Sequence, residues 1–217
     1  MVERPMITVR GEAVREVAPE LALVTVTLTA RDRDREAVVS RLVERSGELH
    51  ALVAEAGDAV ERRETGSVRV VPELKRGSER VVAYTGSIST TITVIDFEPL
   101  GQLLLKVAGL EHASVSGPWW QMRPGSRAGA EVRREAIADA LSRAREYAAA
   151  VGAQVDKLVE IADEGLGGGQ PMMRMAAFEM AGAADSAAGF EVDPQPQTVQ
   201  ASVTVRVTIT EPDLSGQ

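Results

Sequence analysis

The chain has 217 residues, of which 44% are hydrophobic, enough to bury a substantial core as one large domain or two small ones. Its formal net charge is −8, which disfavours a general nucleic-acid or anionic-membrane role because phosphate binding needs a dense basic face. It contains no cysteine, which excludes disulfides, thiolate zinc sites and cysteine nucleophiles.

The first segments of the chain predict two strands. Residues 7–11 are typical of a short apolar edge strand. Within residues 21–30, Val24, Val26 and Leu28 alternate with threonines, the period of two that is typical of a half-buried strand. The charged run at 31–35 indicates a solvated turn, in which Asp32 or Asp34 can cap the next helix.

A helix, a strand, a hairpin loop and a second strand are predicted next. The helix ends at Gly57, since glycine adopts the left-handed conformation without steric cost. Pro72 lacks a backbone donor and therefore places the strand around residues 68–74 at a sheet edge or a bulge. The polar, glycine-containing residues 75–80 form the loop, and residues 82–95 form the returning strand.

The second half of the chain contains two further helices. Asp96 is predicted to cap a short helix that closes at Gly109, and a weaker strand covers residues 113–122. A long helix then runs from Ser126 to the glycine stop at Gly152. Its apolar stripe is a row of alanines spaced four residues apart, which lets the helix approach a sheet closely.

The C-terminal part consists of two strands separated by a long connection. Residues 155–161 form the first strand, and residues 199–209 alternate without a break as the second. The Gly/Met/Pro-rich residues 163–197 between them are predicted to be a flexible loop, and residues 211–217 a polar tail. The order of elements predicts an α+β fold with an antiparallel or mixed β-sheet, helices packed on one face and two helix-strand-strand units.

Motifs for catalysis or metal binding are missing from this sequence. His50 and His112 are interpreted as structural or surface histidines, since no HExxH or GxSxG motif accompanies them. The glycines at 165–169 lack the Lys and Ser/Thr of a phosphate loop and predict a flexible linker. Nothing in the sequence brings two carboxylates into one apolar pocket, as general acid–base catalysis requires. We therefore predict no catalytic residue, cofactor or metal.

Tryptophan and methionine are the strongest candidates for an interface. Neighbouring residues on a strand point to opposite faces, so one of two adjacent tryptophans can be buried while the other is exposed. Exposed tryptophan and methionine are enriched where proteins meet partners. The alternative is that both tryptophans are buried and that the methionines belong to a disordered segment. The candidate interface residues are Trp119, Trp120, Met172, Met173, Met175, Phe178 and Met180.

The long helix and its flanks resemble the SIMPL domain family. In the long helix and just after it, the resemblance rests on the sequence REAIADA at residues 134–140 and on Gly152. Earlier in the chain it rests on ITVRG at residues 7–11, on Pro19-Glu20 and on Tyr84, which begins a threonine-rich strand. It covers nearly the whole chain and predicts a single SIMPL-like domain, residues 1–217. Where members usually have Gly-Ala-Asn after the second helix, this chain has Gly-Leu-Glu at 109–111. The resemblance implies a bacterial α+β protein that self-assembles into rings or higher oligomers and has no established catalytic residues.

Together these features predict a non-enzymatic, homo-oligomeric scaffold or protein-interaction module with an unidentified protein partner. The alternative function is a small-molecule or peptide-binding protein with residues 165–196 as a lid. Residues 1–10 contain no apolar leader, and no later apolar run reaches the length of a membrane span. The chain is therefore expected to be cytoplasmic, the alternative being a periplasmic or secreted protein whose leader has been removed.

Overall fold

The computed structural model of the chain describes residues 4–163, 192–213 and 215. These residues form two antiparallel sheets and three α-helices, which confirms the predicted α+β class. The predicted loop at 163–197 lies outside the described residues except at its two ends. The elements in chain order are β1 Met6–Val17, β2 Leu21–Asp32, α1 Arg35–Glu55, β3 Val60–Leu74, β4 Val81–Val94, α2 Leu100–Ala108, β5 Ala113–Gln121, α3 Arg127–Ala150, β6 Val155–Asp163 and β7 Gln197–Ile209.

The chain divides into two compact units, although its interpretation as a single SIMPL-like domain stays a prediction. The first unit comprises Met1–Val17, Arg123–Gly182 and Pro196–Gln217. The second unit comprises Ala18–Met122 and Ala183–Gln195. The second unit is thus inserted in sequence between β1 and α3 of the first.

The first unit packs α3 against a three-stranded antiparallel sheet of order β1-β7-β6. Ser126 caps the helix by accepting a hydrogen bond from the amide of Ala128, and Gly152 follows its end with φ +68°, as predicted. The core lies between helix and sheet. It consists of the alanine row and the helix-facing side chains of β7, namely Ala136, Ala140, Ala144, Ala148, Ala201, Val203, Val205 and Val207.

The second unit packs α1 and α2 against a four-stranded antiparallel sheet of order β3-β4-β2-β5. Asp34 caps α1 by accepting from the amide of Glu36, so the second of the two predicted caps is the one that forms. The alternating side chains of β2 and β4 fill the space beneath the helices. The most deeply buried members of this core are Val24, Val26, Leu28, Leu49, Ile92, Val94, Leu100 and Val107.

Both units contain the same helix–strand–strand arrangement, α1-β3-β4 in the second unit and α3-β6-β7 in the first. In each, the strand that follows the helix lies at the edge of its sheet. The next strand returns between that edge and an N-terminal strand, which is β2 in the second unit and β1 in the first. The two predicted helix-strand-strand units are therefore present, with one topology.

Three predicted details differ from the structure. Asp96 does not cap α2: the helix begins after Pro99 with no side-chain cap, and Asp96 instead accepts from the amide of Glu98 in a turn. The strand predicted at residues 7–11 extends to Val17 because it pairs with β7 along its whole length. The strand predicted around 68–74 begins at Val60. Its first half is mostly polar and shows no apolar alternation, but hydrogen bonding to β4 holds it in the sheet.

Candidate interaction surfaces

The two tryptophans lie on opposite faces of β5. Trp120 is 8% exposed and packs its ring edge-to-face on Phe97, with centroids 4.9 Å apart, within the core of the second unit. Trp119 lies opposite Leu23 and is half-buried. Trp120 thus contributes to the core, while an interface role for Trp119 stays a prediction. The remaining interface candidates, Met172, Met173, Met175, Phe178 and Met180, lie outside the described residues.

Helix α3 covers only part of its sheet. It packs over β1 and β7 and barely contacts β6. The close approach to β1 depends on Gly11, because a Cβ at this position would lie 2.2 Å from the carbonyl oxygen of Ala136. The same added Cβ would lie 2.6 Å from the Cβ of Ala140. Small residues on both sides therefore draw the helix towards β1, so that α3 does not cover β6.

Three apolar side chains of β6 remain exposed as a result: Leu158 at 53%, Val159 at 51% and Ile161 at 43%. We call these three residues the β6 patch. Leu158 and Ile161 lie opposite Val207 and Val205 of β7, so both belong to the face on which α3 packs. The sequence predicted the strand but not this exposure. A sequence signal exists, since charged residues interrupt the apolar run at positions 156, 157 and 160.

The opposite edge of the same sheet is protected by α3. The amide of Glu12 on β1 donates a hydrogen bond to the Asp139 carboxylate at 3.0 Å. Arg15 contacts Glu131 at 2.8 Å and also pairs with Glu135 on the helix. Natural sheets use charges and covering elements to block edges that would otherwise pair with other chains. On β6, no described strand or helix covers the outer edge, which carries charged residues and register shifts instead.

A similar surface occurs in the second unit, between α1 and the edge strand β3. Val43 is 68% exposed on the helix, and Val68 is 64% exposed on the helix-facing side of β3. His50, seven residues after Val43 and so on the same helix face, has its pKa lowered by burial and then by the charge of Arg63 on β3. Helix α1 contacts β3, and the effect of the Arg63 charge on His50 is consistent with this face of α1 being turned towards β3. We call Val39, Val43 and Val68 the α1/β3 patch.

A shallow polar depression lies where β2 leaves the sheet and β4 continues beyond it. Its volume is about 510 Å³ and its lining residues are Arg31, Asp32, Arg33, Val82 and Ala83. Arg31 binds Glu73 through both its Nε and its Nη2, at 3.0 and 2.7 Å. This guanidinium, with a hydrogen bond from the Thr85 hydroxyl, lowers the pKa of Glu73 to about 2. The ion pair fixes one wall of the depression.

The other polar residues considered from the sequence do not converge in the described structure. His50 lies in α1 and the exposed His112 contacts Glu111 at 3.1 Å, in a left-handed backbone conformation with φ 60°. Among residues 4–163, 192–213 and 215, no three His, Asp or Glu side chains are grouped to hold a metal ion. Of the helices formed by these residues, none is long and apolar enough to cross a bilayer.

The fold defines a class of α+β protein in which two antiparallel sheets each carry helices on one face. Its most distinctive surfaces are apolar patches at sheet edges. The chain belongs to the SIMPL family, described as a protein of unknown function (DUF541), whose match spans residues 7–207. This membership confirms the resemblance of the helix and its flanks.

Other comparisons add little to the family assignment. No curated protein matches the chain. One solved structure with some similarity is an amidase of the hydantoinase/carbamoylase family from Burkholderia phymatum, at 12% identity. The match covers 51% of this chain and 31% of the amidase chain, with a TM-score of 0.28. A likeness of this size supports no argument about fold or activity.

Proposed function

We propose that this protein is a non-enzymatic, homo-oligomeric scaffold or protein-interaction module. The observation that carries the proposal is the β6 patch, an apolar surface on an edge strand that α3 leaves uncovered. Exposed apolar surface at an unprotected edge is a template for association with another chain. The α1/β3 patch repeats the same feature in the second unit and supports the same reading.

The size of the β6 patch decides what kind of contact it supports. Fully burying a Val, Leu or Ile side chain stabilises by about 1.5–3 kcal/mol, so burying the exposed half of three such residues contributes about 2–4 kcal/mol per copy. Association costs an estimated 4–15 kcal/mol or more in lost freedom of motion. One patch on each of two copies is therefore near balance and supports a weak dimer. A larger or closed assembly requires further contacts, for which the α1/β3 patch is available.

The positions of the residues with shifted pKa values support the non-enzymatic part of the proposal. Catalytic groups usually combine a shifted pKa with an enclosed cleft. The largest shift in the described residues, that of Glu73, arises from a partly exposed ion pair beside a shallow depression. The ion pair with Arg31 and the hydrogen bond from the Thr85 hydroxyl account for this lowered pKa. The expected cytoplasmic location stays a prediction.

The test is the solution mass of the full chain by light scattering after size exclusion, at tens of micromolar. We expect a discrete oligomer that Leu158→Glu and Ile161→Glu together convert to smaller species, because each change adds a charge to the patch. The matched control is Val14→Glu, which alters an equally apolar position, 64% exposed, on β1. A wild-type monomer would contradict the proposal, and so would loss of assembly in the control alone. A version lacking residues 165–193 tests the methionine segment separately.

Ligand binding is the second candidate function, and the depression lined by Arg31, Arg33 and Val82 favours it. Arg31 is already paired with Glu73 and Asp32 with Arg41, so the guanidinium of Arg33 beside an apolar side chain is the group that suits an acidic small molecule or peptide. We expect such ligands to raise the melting temperature of the wild type and to have no effect on Arg33→Glu. A flat thermal-shift result across broad pools of acidic metabolites and peptides would exclude this function at the depression.

A further inference from the structure

The face of β6 turned away from α3 carries the opposite charges of Lys157 and Glu160, beside Asp156, whose carboxylate is already paired with Arg4 at 2.8 Å. Lys157 lies opposite Thr208 of β7, and Glu160 lies opposite Arg206, whose guanidinium it contacts at 3.1 Å. In a regular strand, two residues three positions apart point to opposite faces. Here the register with β7 shifts between Leu158 and Glu160. This bulge at Val159 brings Lys157 and Glu160 onto one face, as neighbours along the strand.

When two identical β6 strands run antiparallel, the positive position of each strand faces the negative position of the other. In an antiparallel pair of β6 strands related by a two-fold axis, Lys157 of each copy faces Glu160 of the other, so one contact forms twice. On the other face, the β6 patch of one copy meets that of its partner. A carboxylate accepts several hydrogen bonds, so Glu160 can keep Arg206 and still accept from a second cation.

The apolar segment of β3, the edge strand of the second unit, lacks this property. At the corresponding place on β3, Arg69 lies opposite Ser87 on the helix-free face, between Val68 and Val70. A two-fold pairing centred on this segment would set Arg69 against Arg69, and like charges directly opposite are destabilising. At the exposed apolar segments of the two edge strands, charge patterning thus favours β6 over β3 for pairing between identical copies. The opposite charges of β3, Arg62 and Glu64, contact each other at 3.0 Å outside that apolar segment.

We propose that two copies of this chain pair antiparallel through their β6 strands, about a two-fold axis beside Val159. The pairing extends the three-stranded sheet of one copy into a six-stranded sheet across the dimer. Bulges and charges normally discourage edge pairing because they disrupt and twist the strand. Here they restrict pairing to a single register and a single partner. This inference rests on the proposed function and identifies the first contact of the assembly.

The first test is charge reversal with dilution-dependent light scattering at low and high salt. Lys157→Glu or Glu160→Lys alone turns two attractive contacts into two repulsive ones, so the dimer dissociation constant should rise about tenfold or more. The double variant Lys157→Glu/Glu160→Lys restores the opposed charges between the copies and should recover part of that loss, the remainder being the cost of a lysine placed beside Arg206. Arg69→Glu, a reversal on the other edge strand, is the matched control and should leave the constant unchanged. No recovery in the double variant would overturn the proposal.

The second test exploits a chain without cysteine. Val159→Cys places one thiol beside the axis, where it meets the same thiol of the partner, so mild oxidation should give a covalent dimer. Leu158→Cys repeats the test from the neighbouring position. Val14→Cys, at the protected edge of the sheet, should remain unlinked. Both tests separate this inference from the proposed function: an oligomer that neither β6 cysteine links overturns only the geometry, whereas a wild-type monomer overturns both.

Discussion

Replacing Gly11 by alanine should destabilise the first unit strongly. The added Cβ would lie 2.2 Å from the Ala136 carbonyl oxygen and 2.5 Å from the Ala140 amide nitrogen. Its distance to the Ala140 Cβ would be 2.6 Å, whereas carbon atoms pack at about 3.5–4.0 Å. The atoms it meets are two atoms of the helix backbone and a Cβ bonded directly to that backbone, so none of them can rotate aside. The helix α3 must therefore withdraw by about 1 Å where it crosses β1.

The cost of this withdrawal exceeds that of an ordinary overpacked side chain. Overpacking a core costs about 1–3 kcal/mol where side chains can shift. Moving α3 also loosens the buried alanine row at 136, 140 and 144, so we expect a loss of about 3 kcal/mol or more in the free energy of unfolding. In a chain of this size each kcal/mol changes the melting temperature by about 2–4 °C, which predicts a fall of about 6–12 °C.

Far-UV circular dichroism during heating measures this fall. The matched control is Gly47→Ala in α1, where an added Cβ meets nothing within 4 Å and alanine should stabilise by about 0.5–1 kcal/mol. Trp119 and Trp120 both lie in the second unit, so their fluorescence reports whether that unit melts together with the first. A Gly11→Ala protein that melts with the wild type would refute the close approach of α3 to β1.

Three further predictions concern the second unit, each measured by urea unfolding. Because the pKa of Glu73 is lowered to about 2, its ionised form stabilises the fold above pH 4.5 and this stability is lost as the pH falls towards 2; Glu73→Gln should flatten the pH dependence in that window, and equal slopes would contradict the ion-pair account. Trp120→Ala should cost about 3–5 kcal/mol and the half-buried Trp119→Ala clearly less; the reverse order would contradict their assignment to the two faces of β5. Asp34→Ala should cost about 1 kcal/mol through loss of the α1 cap, and no change would show that the bond to the amide of Glu36 is dispensable.

Local chemistry accounts for the parts of the fold that the sequence predicted. Ser126 and Gly152 bound α3 through interactions within one or two helical turns. The unbroken alternation of β7 predicts a strand with one buried face, which is what the structure contains. The two tryptophans were predicted to face opposite ways for the same local reason. Local signals failed where they compete, as at Asp96, whose side chain closes a turn instead of capping α2.

Tertiary packing decided the rest, above all which apolar residues stay exposed. The sequence of β6 predicts a strand, but its exposure depends on where α3 rests, and that is set by contacts between Gly11 and a helix more than a hundred residues later. The full length of β1 likewise depends on pairing with β7, at the other end of the chain. The register shift that aligns Lys157 with Glu160 is a property of the β6–β7 ladder. The sequence by itself therefore determined the elements and their caps, whereas the candidate interaction surface arose from long-range packing, because a side chain's exposure depends on neighbours that its own segment does not specify.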